Sequence, residues 1–385
     1  MRRLGITPEM VRQHLAAYDD GLVRGLEELA NGRALKKRDM RLKKGVYKTC
    51  KDNLIDECPP KSFELLYVSR ICNFYRHYRS PCGVLGFYPK MLERSARQFA
   101  RFDRHFIKRF GEKSPEYKSW IKGKKKVASL FNYDAFSVGK KLVAEQENNT
   151  WYFHWAENPQ WSGWHFLKQL GSATCSYCNS DGVFTIECDQ RGNKYKKLKK
   201  SELDHFWPRA LFPFLGLSLY NLVPSCTRCN RNFKGEELPW GMVQPYRDDF
   251  HAGAKFYVVF KDHKSILQPN DTRVDVIIDR PNVSPHVVTL TERAKRSAEF
   301  FHLEEVYNQV YELEVTDVVR KVLYLPGTYL TDLKKRYPGI EESVLNRMVI
   351  GSSLDSEDIN KLAHEKLRQD IHSQLWIHRP NTEFH

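Results

Sequence analysis

The chain has 385 residues, 41% hydrophobic, 13% aromatic and 28% charged, a globular mixture that excludes a disordered or fibrous protein and leaves room for two or three domains. Its net charge of +15 is segregated: residues 1–150 hold 32 Lys and Arg against 17 Asp and Glu, and the remainder is balanced. Such a basic half is the electrostatic footprint of a polyanion binder, though it also serves as a solvated surface that aids solubility.

The longest apolar-looking stretch, Leu211 to Pro224, is too short and too interrupted to cross a bilayer. The first residues (MRRLGITPEM) lack the apolar core of a secretory signal. Nine cysteines, four of them in two Cys-x-x-Cys pairs, point to thiolate chemistry in a reducing compartment rather than a disulfide framework. A cytoplasmic protein is expected.

In chain order, Thr7 before Pro8 marks a helix start. Val11, Leu15, Tyr18, Leu22, Leu26 and Leu29 follow at helical spacing, and Asn31-Gly32 is the stop. A basic run from Arg33 through Lys48 reads as exposed. Residues 60–150 read as helical, with aromatics interleaved among cations, as in Arg101-Phe102-Asp103-Arg104-His105-Phe106. That interleaving suits a groove where bases stack and phosphates pair, and equally an amphipathic core helix with snorkelling arginines. Trp151, Trp155, Trp161 and Trp164 are expected to pack in a core rather than cage a ligand. Phe256–Lys261, Val274–Asp279 and Val287–Thr291 read as short strands. A long helical pattern spans about 291–323, and an amphipathic helix is expected over 355–375.

The chemistry lies in the middle. Cys175-Ser-Tyr-Cys178 and Cys226-Thr-Arg-Cys229 are two knuckles 47 residues apart, and four soft sulfur ligands with no open position describe a structural zinc site. The other five cysteines (50, 58, 72, 82 and 188) show no ligand spacing. Around the knuckles stand Leu203-Asp204-His205-Phe206-Trp207-Pro208, then Tyr220-Asn221-Leu222-Val223-Pro224-Ser225, then Cys229-Asn230-Arg231-Asn232-Phe233-Lys234-Gly235.

That order, over residues 172–236, resembles the zinc-supported HNH nucleases of the ββα-metal fold. The resemblance implies two short strands, 201–207 and 219–224, with the second knuckle opening a helix across them. It implies His205 as general base and Asp204 with Asn230 as ligands of a catalytic Mg²⁺ or Mn²⁺. Asn221 corresponds to the central Asn that braces the loop and orients His205. Asn230 stands where many members carry His, making this an HNN variant. Arg231 and Lys234, at a helix start, are candidate phosphate contacts. The basic insertion Arg191 to Lys200 reads either as a nucleic-acid contact or as a solvated hairpin tip. Leu303-Glu-Glu-Val-Tyr-Asn308 and the closing helix resemble HNH proteins found beside ATPases in prokaryotic anti-phage defence loci.

The expected architecture is α+β in three regions: a basic, mainly helical part over 1–150, an HNH nuclease domain over 151–245, and a strand-and-helix part over 246–385 suited to partner docking. The expected function is a metal-dependent endonuclease acting on DNA, with Zn²⁺ structural and Mg²⁺ or Mn²⁺ catalytic. The alternatives are a nuclease subunit silent without an ATPase or nucleoprotein partner, and a non-catalytic zinc-stabilised nucleic-acid-binding module.

Overall fold

A computed structural model describes residues 1–31, 62–77, 89–190, 194–200, 202–260, 272–277, 285–325 and 327–377. The basic run Arg33 to Lys48 and the cysteines at 50, 58 and 82 lie outside the described residues.

The first helix, α1 (Pro8–Ala30), begins and ends where its signals stand. The Thr7 side chain accepts from the Met10 N–H at 3.2 Å, and Asn31 is the C-cap. Its buried face carries Met10, His14, Tyr18, Leu22, Leu26 and Leu29. α2 (Ser62–His77), α3 (Pro89–Phe110) and α4 (Pro115–Leu130) complete the N-terminal helical layer. Their aromatics turn inward: Phe63, Tyr67, Phe99, Phe106 and Trp120 are buried, and Phe106 stacks on Trp120 at 4.4 Å. Arg101 and Arg104 remain outside. The interleaved pattern is thus an amphipathic core rather than a row of stacking platforms.

The short α5 (Tyr133–Ser137) ends the helical run before the expected residue 150. Residues beyond it form a hairpin, β1 (Lys140–Glu147) paired with β2 (Thr150–Glu157). Asn148 and Asn149 join the strands at φ 50° and 58°, left-handed values that a tight two-residue turn demands and Asn tolerates. The boundary expected at 150 falls inside this hairpin. Trp161 and Trp164 are buried, and Trp151 and Trp155 pack against the core half-buried. α6 (Gly163–Leu170) follows.

Next, β3 (Phe184–Gln190) pairs with β4 (Lys194–Lys200), so the lysine-rich insertion is the return strand of a hairpin. β5 (Glu202–His205) pairs with β6 (Leu222–Ser225), His205 opposite Leu222. This pair is shorter than the expected 201–207 and 219–224, because Leu219–Asn221 tightens into a 3₁₀ turn. A π-helix, Arg228–Lys234, follows the second knuckle and closes with Gly235 at φ 50°.

The C-terminal part holds α7 (Phe250–Gly253), the pair β7 (Lys255–Phe260) and β8 (Thr272–Ile277), then α8 (Pro285–Phe300). α9 (Leu303–Glu305) runs into a π turn, Val306–Val310, and α10 (Glu312–Tyr324), α11 (Gly327–Arg336), α12 (Glu342–Ile350) and α13 (Glu365–Ile377) follow. Val287–Thr291, expected as a strand, lies in α8. Ala294, Ala298 and Phe301 are buried at helical spacing there, and packing overrides the β-branched run. The helix expected over 291–323 is broken at His302, whose φ is 49°, and the closing helix starts at Glu365 rather than 355. The sheets among the described residues are four two-stranded antiparallel pairs, so the fold is mixed α and β. No described helix is long and apolar enough to cross a membrane.

One buried residue ties α1 to the middle of the chain. His14 Nδ1 accepts from the Trp161 indole N–H at 2.9 Å, and its Nε2–H donates to the Leu217 carbonyl at 2.6 Å. This arrangement fixes the neutral tautomer. Burial lowers the His14 pKa to about 4, against the opposing effect of the Leu217 bond. The unfolded chain therefore takes up a proton near pH 6.5 that the folded chain refuses until about 4, so stability falls as pH drops through that window. The His14→Gln variant lacks this term. Its stability deficit relative to wild type should shrink by about 3 kcal/mol from pH 7 to pH 4 in urea unfolding; a pH-independent deficit would show that His14 does not carry it.

Candidate active site and metal centre

The two knuckles converge. The Sγ atoms of Cys175, Cys178, Cys226 and Cys229 lie within 4.8 Å of one another, and all four residues are buried. Tetrahedral zinc with bonds of about 2.3 Å would set sulfurs about 3.8 Å apart. Cys178 and Cys226 are 3.9 Å apart, so the donor set and its spacing fit one zinc ion. Burial pushes the Cys175 thiol up, since crowded thiolates need a cation to ionise together. Around the sulfurs, Ser180 Oγ donates to Cys178 at 3.0 Å and the Cys229 N–H donates to Cys226 at 3.4 Å.

The cluster is buttressed from the C-terminal part. The Tyr307 hydroxyl donates to the Cys178 carbonyl at 2.8 Å, and the Asn179 amide donates to the Ile359 carbonyl at 2.5 Å. Arg228, inside the second knuckle, reaches Ser180 Oγ at 2.8 Å and Asp181 at 3.1 Å.

Tyr177 links this centre to Asp204. It sits between the first two cysteines, stacks on Phe301 at 4.4 Å, and donates its hydroxyl to Asp204 Oδ2 at 2.5 Å. The other carboxylate oxygen, Oδ1, receives Lys234 Nζ at 3.1 Å, and Lys234 also donates to the His205 carbonyl at 2.8 Å. Asp204 and Lys234 are 2% and 1% exposed. Burial raises the Asp204 pKa, and Lys234 with Tyr177 pulls it back. Lys234 was expected to grip phosphate. The structure corrects that reading, because its ammonium is enclosed and spent on the Asp204–His205 strand.

Next along β5, His205 donates Nε2–H to the Gly216 carbonyl at 2.9 Å, and its ring meets that of Tyr133 in a T-shaped contact with ring centres 4.6 Å apart. Burial lowers its pKa to about 3, which keeps the imidazole neutral. With Nε2 carrying the proton, Nδ1 keeps its lone pair. Asn221 lies beneath this loop, fully buried. Its Oδ1 accepts from the Trp207 N–H at 2.7 Å, and its amide donates to the carbonyls of Trp207 and Leu215 at 3.1 and 3.0 Å. These bonds pin the chain at Trp207, just after His205, and at Leu215, just before Gly216.

Asn230, in the π-helix, donates its amide to Glu202 Oε2 at 2.7 Å, which leaves its own carbonyl oxygen available as a hard donor. Arg231 is exposed and pairs with Glu202 at 2.6 Å. Asp204, His205, Asn230 and Arg231 all line one cleft of about 1020 Å³, together with Glu202, Tyr133 and Arg209. Of the predicted site residues, Asp204, His205, Asn230 and Arg231 line this cleft, the four cysteines form the separate cluster, and the buried Asn221 and Lys234 are not among the lining residues. Tyr177, Glu202, Tyr133 and Gly216 were missed. Glu202 had a signal, since strand period places it on the Asp204 face; the other three depend on tertiary contacts. No family model, curated protein or solved structure matches this chain.

Two outcomes test the centre. Cys226→Ser should lower bound zinc, read by elemental analysis, and lower the melting temperature; unchanged values would refute the pairing of the knuckles. Lys234→Met should cost about 3–5 kcal/mol in urea unfolding, because it removes the cation paired with the buried Asp204 carboxylate and leaves it the Tyr177 hydroxyl, and adding Asp204→Asn should recover part of that loss.

Proposed function

We propose that this chain is a metal-dependent endonuclease of the HNH type that hydrolyses phosphodiester bonds of DNA, with a role in prokaryotic anti-phage defence. The observation that carries the reading is the cleft itself. The His205 imidazole, with Nε2–H on Gly216 and Nδ1 as the remaining ring nitrogen, lines one cleft with the Asp204 carboxylate and the Asn230 amide. His205 Nδ1 takes the proton from the attacking water, while the Gly216 carbonyl holds the ring at its other nitrogen and stabilises the imidazolium that forms. Asp204 and Asn230 offer hard oxygens suited to Mg²⁺ or Mn²⁺, and such an ion, when bound, supplies positive charge at the scissile phosphate. Lys234 keeps Asp204 ionised and in place, and Arg231 at the cleft edge is positioned to meet a phosphate.

A second reading is a nuclease subunit that acts only with a partner. It is favoured by apolar side chains left in solvent on the C-terminal helices: Leu313 is 85%, Met348 71% and Val310 59% exposed.

Supercoiled plasmid, single-stranded DNA and RNA, each with Mg²⁺ or Mn²⁺, separate these readings. Wild type is expected to cut in a metal-dependent manner, and His205→Ala to lose about 10²- to 10⁴-fold in rate with its melting temperature retained. Equal cutting by both would sink the base assignment. Silence from wild type would favour the partner-gated subunit or a binding module.

A further inference from the structure

The outer face of α4 points to a path for the substrate. Lys118, Lys122 and Lys125 are exposed, and their spacing of four and three residues aligns them along one side of the helix. The neighbouring lysines are otherwise engaged: Lys124 is buried on Asp103, and Lys126 pairs with Glu64. One more step of four residues along the same side reaches Ser129, which with Ala128 lines the cleft that holds Asp204 and His205. The three lysines therefore span about 10 Å of the helix, and about 6 Å beyond Lys125 the same side reaches the cleft.

Among the residues of α4, no aromatic side chain shares this face. Trp120 is buried, and Tyr117 is half-buried at a different angle on the helix. A surface of cations without exposed rings holds phosphates but cannot stack splayed bases, which single-strand binding requires. We propose that Lys118, Lys122 and Lys125 form a phosphate track that seats duplex DNA by its backbone and feeds one strand toward His205. This rests on the nuclease reading above and adds to it the form of the substrate and its route. Recognition along the track is independent of base sequence, since each lysine meets backbone charge alone.

A second row of exposed cations lies on α3, at Lys90, Arg94, Arg101 and Lys108. The start of that helix borders a different hollow, where Pro89, Glu93 and Arg97 stand with Trp207 and Arg296. The α3 row thus lacks the direct connection to the cleft that α4 has, and it supplies the control.

The test is binding of a labelled duplex of about 30 base pairs, by fluorescence anisotropy without added divalent ion, over a range of salt. Lys118→Gln/Lys122→Gln/Lys125→Gln should bind on the order of a hundredfold more weakly near 0.1 M salt, with its log–log salt slope reduced by about three. Arg94→Gln/Arg101→Gln/Lys108→Gln should bind nearly as wild type does. Circular dichroism should be unchanged in both, as these side chains are exposed. Wild-type binding by the α4 variant, or loss confined to the α3 variant, would overturn the track. A single strand of equal length bound as tightly as the duplex would overturn the duplex assignment. In either case metal-dependent plasmid cutting by wild type would leave the nuclease reading standing, whereas absent cutting with the α4 effect intact would leave the track and remove the nuclease.

Discussion

The carboxylate of Asp204 is held from both sides by groups that sequence separates widely. Tyr177 comes from the first cysteine knuckle and Lys234 from the end of the π-helix, and both converge on a strand of only four residues. A two-stranded pair this short has little ladder and almost no core of its own, so it cannot fix a side chain to within the tolerance that chemistry needs. The positioning is delegated. The four-cysteine centre fixes Tyr177, the π-helix fixes Lys234, and Asn221 pins the loop that holds His205.

This explains why the surrounding helices are more than a wrapper. His14 on α1 grips the Leu217 carbonyl, one residue from the Gly216 carbonyl that orients His205. Phe99 of α3 packs on Phe214 of the same loop at 4.6 Å. From the other end of the chain, Tyr307 and the backbone near Ile359 hold the first knuckle. The loop that holds His205 and the four-cysteine cluster are each braced by side chains from outside the segment between the knuckles.

Much of this was legible in the sequence where the signal is local. The caps of α1 and each Cys-x-x-Cys pair follow from motifs within a few residues, whereas the grouping of Asp204, His205 and Asn230 follows from the resemblance carried by the order of residues 172–236. What escaped depends on contacts across the chain. Lys234 reads as a cation at a helix start, and only burial shows it to be an internal brace. Val287–Thr291 has strand composition, yet the helical spacing of Ala294, Ala298 and Phe301 decides its conformation. The hairpin at 140–157 hides behind weak alternation, and its strongest clue is the two adjacent asparagines of its turn.

The bracing of the first knuckle by residues 307 and 359–366 also bears on synthesis. Asn179 donates to the carbonyls of Ile359 and Leu362 and accepts from the Lys366 N–H, partners 180 to 187 positions downstream. While the chain emerges from the ribosome, the cysteine pairs and the Asp204–His205 strand are exposed well before these partners exist. Contacts so distant in sequence form late and slowly. The geometry that positions Asp204 is thus completed only after residues 359–366 have emerged, so the first knuckle and its strand wait on a distant part of the chain.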